Sequence, residues 1–240
     1  MIGPFRDRLD AGRRLAAELR AYEDSPDVIV LALPRGGVPV GFEVAATLHA
    51  PLDVFVVRKL GLPWQPELAM GAIASSSGGT VRILDQDVIR ATGVSEEQIE
   101  HVAKTERIEL ERRERQYRGD LPFPELKGKT VVLVDDGLAT GSSMRAAVAA
   151  LRQESPGRIV VAVPVAARGT CDALGEIADE IICVETPEPF QAVGIWYEDF
   201  SETTDAEVRA LLAAVWAENG DGASRPARPI AGKGADSPAG

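Results

Sequence analysis

VVLVDDGLATGSSM, residues 131–144, is the stretch that decides the fold of this 240-residue chain. It begins with four consecutive apolar residues, which predict a buried strand. Two carboxylates, Asp135 and Asp136, come where that strand ends, and a turn of small residues at 139–143 then opens a helix of good helix formers. Because ligands bind at the carboxyl ends of strands in open α/β sheets, this strand end is a candidate binding site.

The turn and the acidic pair suit two parts of one ligand. Backbone N–H groups and hydroxyls at a helix N-terminus favour an anion such as phosphate, and the helix dipole adds to that preference. Ionised Asp135 and Asp136 only accept hydrogen bonds, so they suit hydroxyl donors beside the phosphate. A phosphate with neighbouring vicinal hydroxyls describes a ribose 5-phosphate. The alternative is a charged strand end before an ordinary helix, where the two carboxylates would repel each other without benefit.

These residues resemble the 5-phosphoribosyl 1-diphosphate (PRPP) motif of type I phosphoribosyltransferases. The adenine-type version is the most similar, since it also has alanine, here Ala139, where 6-oxopurine enzymes place an aspartate. The chain departs from the family at Gly137 and at the serine pair of the turn, so adenine as substrate is not implied. The resemblance implies that Asp135 and Asp136 contact the ribose and act in catalysis. It also implies a 5-phosphate site made by Ala139, Thr140, Gly141, Ser142 and Ser143.

A second strand end supports the same interpretation. The apolar run at 28–33 stops at Pro34, and Arg35, Gly36 and Gly37 follow before the next helix. Arg35 offers a planar, always-charged fork suited to phosphate, and the glycines let the backbone approach a ligand closely. These residues resemble the family's pyrophosphate loop, where strained or cis backbone geometry is one expectation. The alternative is a glycine-rich turn with a surface arginine.

A third apolar run, 52–57, ends at the basic pair Arg58 and Lys59. Adenine-type phosphoribosyltransferases show a similar pair, which leads into a mobile catalytic loop and touches pyrophosphate. A glycine and two prolines follow here and interrupt any regular element, so residues 60–68 are predicted to form a mobile lid that excludes water. The alternative is the entry to a hairpin that carries a surface basic pair.

Composition and hydrophobic periodicity predict an α/β fold with a parallel sheet flanked by helices. One domain is expected over residues 1–218, with an insertion at about 61–129. Residues 219–240 are rich in Gly, Pro, Ala and Ser and are predicted to be disordered. The predicted strands are 28–33, 52–57, 130–134, 158–163 and 180–184, and the predicted helices are 5–22, 38–49, 142–154 and 168–178.

The insertion and the C-terminal part of the chain are each open to two interpretations. The insertion is predicted to hold a hairpin, 70–74 with 81–84, and a long charged helix that starts at a capping box on Ser95. That helix is either a solvated structural element or an arm that packs on a partner or shields the site. Three C-terminal aromatic residues either stack on an acceptor base, as a hood, or fill a core beneath a loop: Phe190, Trp196 and Tyr197.

Charge and cysteine content limit the partners. The net charge of −11 argues against nucleic-acid or anionic-membrane binding, and no apolar run approaches 18 residues, so a cytoplasmic protein is expected. Cys171 and Cys183 show no metal or redox spacing and are predicted to be small buried residues in a reducing compartment. No protein metal site is predicted; the resemblance implies Mg²⁺ carried by PRPP, and a homodimer is the expected assembly.

The resemblance as a whole implies an enzyme that transfers the 5-phosphoribosyl group of PRPP to a nitrogenous base or other small acceptor and releases pyrophosphate. A non-catalytic PRPP sensor is the main alternative. The first strand begins by Val28, which leaves no room for an N-terminal DNA-binding domain, and the basic pair is retained; both features disfavour the sensor. An unrelated Rossmann-like sugar-phosphate hydrolase is a third alternative.

Overall fold

Eight strands form two sheets within residues 4–218, the part of the chain that the computed structural model describes. Five of the strands make a parallel sheet and three make an antiparallel sheet. The strands are β1 Val28–Ala32, β2 Leu52–Val54, β3 Val57–Leu62, β4 Gln65–Ser76, β5 Gly79–Leu84, β6 Thr130–Val134, β7 Arg158–Val165 and β8 Glu180–Glu185.

The parallel sheet has the order β2-β1-β6-β7-β8, and the antiparallel sheet has the order β3-β4-β5. β1 and β6 run side by side in register, with Ala32 opposite Val134 at their carboxyl ends. The loop after β1 and the acidic pair after β6 therefore start from adjacent points on one edge of the sheet.

Seven α-helices surround the sheets in the described residues. None of them is both long enough and apolar enough to cross a membrane. The helices are α1 Arg8–Glu18, α2 Gly37–Leu48, α3 Gln86–Thr92, α4 Glu96–Arg118, α5 Ser142–Gln153, α6 Arg168–Gly175 and α7 Asp205–Glu218.

The core lies on both faces of the parallel sheet. Along β1, Val28 and Val30 belong to one buried cluster, which α1, α2 and α7 share. Ile29 and Leu31 belong to the opposite cluster, which is covered by α5 and α6. Burial on both faces explains why these strands read as continuous apolar runs rather than as alternating ones. The predicted parallel sheet flanked by helices is confirmed.

The predicted strand 52–57 is wrong in its extent. β2 ends at Val54, and β3 starts at Val57 as part of the antiparallel sheet. The hairpin of β3 and β4 spans most of residues 60–68, so the expectation that no regular element forms there is also wrong. Pro63 lies in the turn, and Pro66 lies where the β3–β4 register shifts, an irregularity at which a strand tolerates proline.

The long helix α4 starts at the predicted capping box: Ser95 Oγ accepts from the Gln98 N–H, and the Gln98 side chain accepts from the Ser95 N–H. One stripe of α4, which includes Ile99 and Leu110, is buried. Its last residue, Arg118, is buried and donates to the Asp53 carboxylate at 3.1 Å. These contacts favour a structural element that packs on the rest of the chain.

The cysteine prediction needs a correction. Cys171 on α6 and Cys183 on β8 form a disulfide, so they are not two separate thiols. Their pairing depends on α6 packing beside the edge strand β8, and the spacing of the two cysteines in the sequence gives no sign of that contact. The predicted disordered tail, 219–240, lies outside the described residues.

Candidate functional site

The acidic pair follows directly after β6. The Asp136 N–H donates to Asp135 Oδ1 at 2.9 Å, and the Tyr197 hydroxyl donates to the Asp136 carbonyl oxygen at 2.5 Å. Burial raises the pKa of Asp135 well above its usual range, and the negative charge of Asp136 adds to the rise. Burial also raises the pKa of Asp136, while the hydrogen-bonded guanidinium of Arg8 acts to lower it. The two carboxylates are therefore shielded from water and have one cation, Arg8, beside them.

That cation, Arg8, comes from the first turn of α1. Its Nε lies 2.8 Å from Asp136 Oδ2, and its Nη1 donates to the Ser201 carbonyl at 2.6 Å. The guanidinium also lies 4.0 Å from the centroid of the Phe200 ring. Arg8 could not be predicted from the sequence, because it is 128 residues from Asp136 and no sequence signal distinguishes it from the other arginines of the same helix.

The predicted pyrophosphate loop contacts the acidic pair. A Cβ on Gly36 would lie 2.0 Å from Asp136 Oδ2, and a Cβ on Gly37 would lie 2.8 Å from the Val134 carbonyl oxygen. The peptide bond between Pro34 and Arg35 is cis. The glycines were expected to admit a ligand; the structure shows that they also admit the end of β6 itself.

The Arg35 guanidinium faces two carboxylates, one from the segment before α7 and one from the first residue of α7. It forms an ion pair with Glu202, and its Nη1 lies 4.0 Å from Asp205 Oδ1. Asp205 is fixed in turn by the Tyr117 hydroxyl of α4 at 2.7 Å. An anion that binds Arg35 therefore competes with these carboxylates. Glu202 is a second residue that the motifs did not reveal.

The predicted phosphate turn precedes α5 and is open to solvent at Thr140, Ser142 and Ser143. Gly141 has φ +68°, a conformation that glycine adopts without strain, and a Cβ there would lie 2.6 Å from Thr170 Cγ2. Thr170 holds the turn from α6, since its hydroxyl donates to the Ala139 carbonyl at 2.6 Å. The exposed hydroxyls therefore lie at the N-terminal end of α5, where helix geometry favours an anion.

Arg58 and Lys59 are not drawn to the acidic pair. Arg58 Nη2 lies 2.6 Å from Glu106 of α4, and Lys59 Nζ lies 3.8 Å from Glu67 of β4. No hydrogen bond or ion pair of residues 4–218 joins either cation to Asp135 or Asp136. The structure therefore brings the first two strand ends together and leaves the third with the insertion.

The predicted hood is divided between core and surface. Tyr197 is buried and packs on Phe5, with ring centroids 5.4 Å apart, so the core interpretation describes it. Phe190 and Trp196 are partly buried against the same cluster. Phe200, which sequence reasoning missed, keeps 37% of its surface exposed beside Arg8. It is thus the aromatic residue near the acidic pair that is best placed to meet a ligand.

A groove of about 340 Å³ adjoins Arg8 between the start of α1 and α7. Its lining combines apolar residues, such as Pro39 and Leu211, with Ser201 and Glu202. Because Ser201 and Glu202 also bond to Arg8 and Arg35, the groove opens beside the charged groups of the site.

Residues 2–195 match the phosphoribosyl transferase domain family. The chain is 46% identical over 208 residues to two proteins of Mycobacterium tuberculosis, from strains CDC 1551 / Oshkosh and H37Rv, which are provisionally named phosphoribosyl transferases MT0597 and Rv0571c. That match covers 87% of this chain and 46% of each relative, so the chain spans about half the length of the curated relatives it matches.

The crystal structure of TT1426 from Thermus thermophilus is similar over most of both chains. It is 42% identical, with a TM-score of 0.79 over 88% of this chain and 98% of that chain. The chain therefore belongs to the phosphoribosyl transferase domain family, with the fold of the type I enzymes.

Proposed function

We propose that the protein is a phosphoribosyltransferase that uses PRPP with Mg²⁺ and transfers the 5-phosphoribosyl group to a nitrogenous base or other small acceptor, with release of pyrophosphate. One observation carries the proposal: in the pyrophosphate loop Gly36 lies against Asp136 and Gly37 lies against Asp135, at the strand end that also leads into the phosphate turn. Sites for pyrophosphate, ribose and 5-phosphate are then contiguous in the order in which PRPP presents these groups.

Each part of the substrate has a counterpart in the chain. The 5-phosphate occupies the turn at 139–143, and the ribose hydroxyls donate to Asp135 and Asp136. Pyrophosphate binds Arg35 and the Gly36 N–H, since the Gly37 N–H already donates to the Leu33 carbonyl at 3.0 Å, and it displaces Glu202 as it does so. Lys59 joins the pyrophosphate only if the β3–β4 hairpin moves, because its present neighbour is Glu67.

The donor set suits Mg²⁺ that arrives with its substrate. Mg²⁺ prefers oxygen ligands and is usually bound through phosphates and waters rather than by a protein cage. The nearby protein oxygens belong to two carboxylates that already contact a glycine loop and Arg8, which leaves them the role of accepting from ribose hydroxyls. When bound, the ion neutralises charge on the departing pyrophosphate.

The protein's own residues contribute position and charge. The bond between the anomeric carbon and the pyrophosphate oxygen breaks through an oxocarbenium-like state, and the acceptor forms the new bond. Carboxylates at the ribose stabilise the positive charge of that state, and Arg35 stabilises the negative charge of the leaving group. Fixed positions of the sugar and the acceptor lower the entropy cost of the reaction.

A second candidate is a PRPP sensor without catalysis. The pairing of Arg58 and Lys59 with acids of the insertion favours it, because two cations expected in catalysis lie with other partners. Pyrophosphate release with PRPP, Mg²⁺ and a panel of purine, pyrimidine and other nitrogenous acceptors separates the two candidates. Release with any acceptor supports transfer, whereas PRPP binding without turnover across the panel favours the sensor. A protein that does not bind PRPP contradicts both.

A further inference from the structure

Arg8 lies where three parts of the site meet. Its guanidinium touches Asp136 through Nε and Ser201 through Nη1, and a Cβ on Gly36 would come within 3.3 Å of Nε. The side chain is only 12% exposed although it comes from the first turn of a surface helix. Arg8 belongs to none of the three motif segments, and the proposed reaction assigns it no role.

We propose that Arg8 is a positioning residue: it holds the Asp136 carboxylate by one oxygen, leaves the other for a ribose hydroxyl, and ties residues 197–201 to the acidic pair. This inference rests on the proposed function. Arg8 acts through Asp136 and does not itself contact the reacting atoms.

The hydrogen bonds at Asp136 leave room for this role. Arg8 Nε bonds Oδ2, and no other side chain of the described residues donates to the Asp136 carboxylate. A carboxylate has lone pairs for several donors, so a ribose hydroxyl can bond Oδ1 while Arg8 remains in place. The planar guanidinium contacts Asp136, the Ser201 carbonyl and the Phe200 ring. It therefore orients the carboxylate better than a flexible ammonium would.

The same contacts connect the acidic pair to the C-terminal segment that carries Phe200. Phe200 stacks on the Arg8 guanidinium, and the Ser201 carbonyl accepts from its Nη1 at 2.6 Å. Tyr197 reaches the Asp136 carbonyl from the same segment. Loss of Arg8 therefore loosens the segment that carries Phe200 as well as the carboxylate.

If Arg8 positions Asp136, its loss should change the pH dependence of ligand binding, which a purely structural role would not do. The ionisable groups that face the Asp136 carboxylate are Asp135 directly after β6, Arg8 from α1 and Tyr197 from the C-terminal segment; the loop before α2 presents Gly36 to it. Burial raises the pKa of Asp136 and Arg8 counteracts this. Without Arg8 the pKa rises further, so on acidification the carboxylate takes up its proton at a higher pH.

The test is the affinity for PRPP–Mg²⁺, measured by isothermal titration calorimetry between pH 5 and pH 8. The variants are Arg8→Met, which removes the charge, and Arg8→Lys, which keeps the charge but not the fork. Arg13→Met is the matched control, because Arg13 lies on the same helix and pairs with Glu43 at the surface.

Arg8→Met is expected to bind about tenfold more weakly at pH 7.5, as loss of one charge-assisted contact implies. The pH at which its affinity has fallen by half should be about one unit higher than in wild type. Arg8→Lys should lose affinity but keep the wild-type midpoint, and Arg13→Met should match wild type throughout.

A folded Arg8→Met variant whose pH profile superimposes on that of wild type would overturn the proposal. If that variant does not fold, Arg8→Gln takes its place, since it keeps a hydrogen-bond donor without the charge; an unshifted midpoint there overturns the proposal equally. Failure of the wild-type protein to bind PRPP at any pH contradicts the proposed function, so the two failures are distinguishable.

Discussion

Two of the charged residues next to the two adjacent strand ends have an oppositely charged partner from outside the motifs. Asp136 is paired with Arg8, and Arg35 is paired with Glu202. If Arg35 binds pyrophosphate, as the proposed function requires, the second pair has a direct consequence. The Glu202 carboxylate already bonds the Arg35 guanidinium, so pyrophosphate would replace one anion with another there.

Replacement of Glu202 should therefore strengthen pyrophosphate binding. In Glu202→Gln the competing charge is gone, and because exposed ion pairs are worth about 0.2–1 kcal/mol, the gain is expected to be up to about fivefold. The dissociation constant of Mg²⁺-pyrophosphate, measured by calorimetry, checks this. Glu198→Gln is the control, since Glu198 is exposed on the same segment and its side chain makes no described ion pair. Equal affinities in wild type and Glu202→Gln would show that pyrophosphate does not bind at Arg35.

Residues that act within one short segment were predictable, and residues that act across the fold were not. Asp135, Asp136 and the phosphate turn stand together at one strand end, so pattern and chemistry point to them directly. The contact of Arg35 with Glu202 spans 167 residues and leaves no local trace. The glycine loop shows the same limit, because the motif suggested space for a ligand but could not show how close Asp136 lies.

Among the elements, α4 is fixed to the parallel sheet by a buried ion pair. Arg118 bonds the Asp53 carboxylate and the Val54 carbonyl, at 3.1 and 3.0 Å. Arg118→Met leaves the buried Asp53 charge without its partner, so the free energy of unfolding should fall by about 3–5 kcal/mol. Thermal and urea unfolding followed by circular dichroism measure the change.

Two comparisons make that prediction specific. Arg112→Met removes an exposed arginine of the same helix and should leave the unfolding midpoint close to that of wild type. Asp53→Ala combined with Arg118→Met removes both charges and should recover part of the lost stability, since neither partner is then buried alone. Additive losses in the double variant would mean that the two side chains do not interact.

The β3–β4 hairpin is the element expected to move during catalysis. Trp64 in its turn is 55% exposed and Leu68 is 38% exposed, so the tip has large apolar side chains available to cover a ligand. Hydrogen exchange across residues 60–68 should slow when PRPP–Mg²⁺ binds, because closure shields the hairpin amides. Peptides from β7 serve as an internal reference. Unchanged protection across residues 58–70 would rule out a lid.

The elements also show which sequence signals were sufficient. Continuous apolar runs located β1, β6 and β7 because those strands are buried on both faces, whereas the run at 52–57 also extended beyond the end of β2. The helix α7 was not predicted, although Val208, Leu212 and Val215 recur at four- and three-residue steps, are buried, and are typical of a helix face. The strand β3 was missed because its proline-rich exit indicated a loop.

Over the whole molecule, the first described residues pair with residues 196–198, the segment that also contacts the acidic pair through Tyr197. The Phe5 N–H donates to the Trp196 carbonyl and the Glu198 N–H donates to the Phe5 carbonyl, both at 2.8 Å. The family match ends at residue 195, yet the segment beyond it supplies Tyr197, Phe200 and Glu202 to the site. The part of the chain outside the family model therefore completes the surroundings of the acidic pair.

The central claim is that PRPP binds with its ribose at Asp135 and Asp136, and calorimetry of PRPP with Mg²⁺ tests it most directly. Each carboxylate should supply charge-assisted hydrogen bonds worth about 1.5–3 kcal/mol, so Asp135→Asn and Asp136→Asn should each weaken binding by about 10- to 100-fold. Asp120→Asn, which changes an exposed carboxylate of the insertion, should bind like wild type. Unchanged PRPP affinity in both acidic-pair variants, with wild type binding normally, would contradict the account.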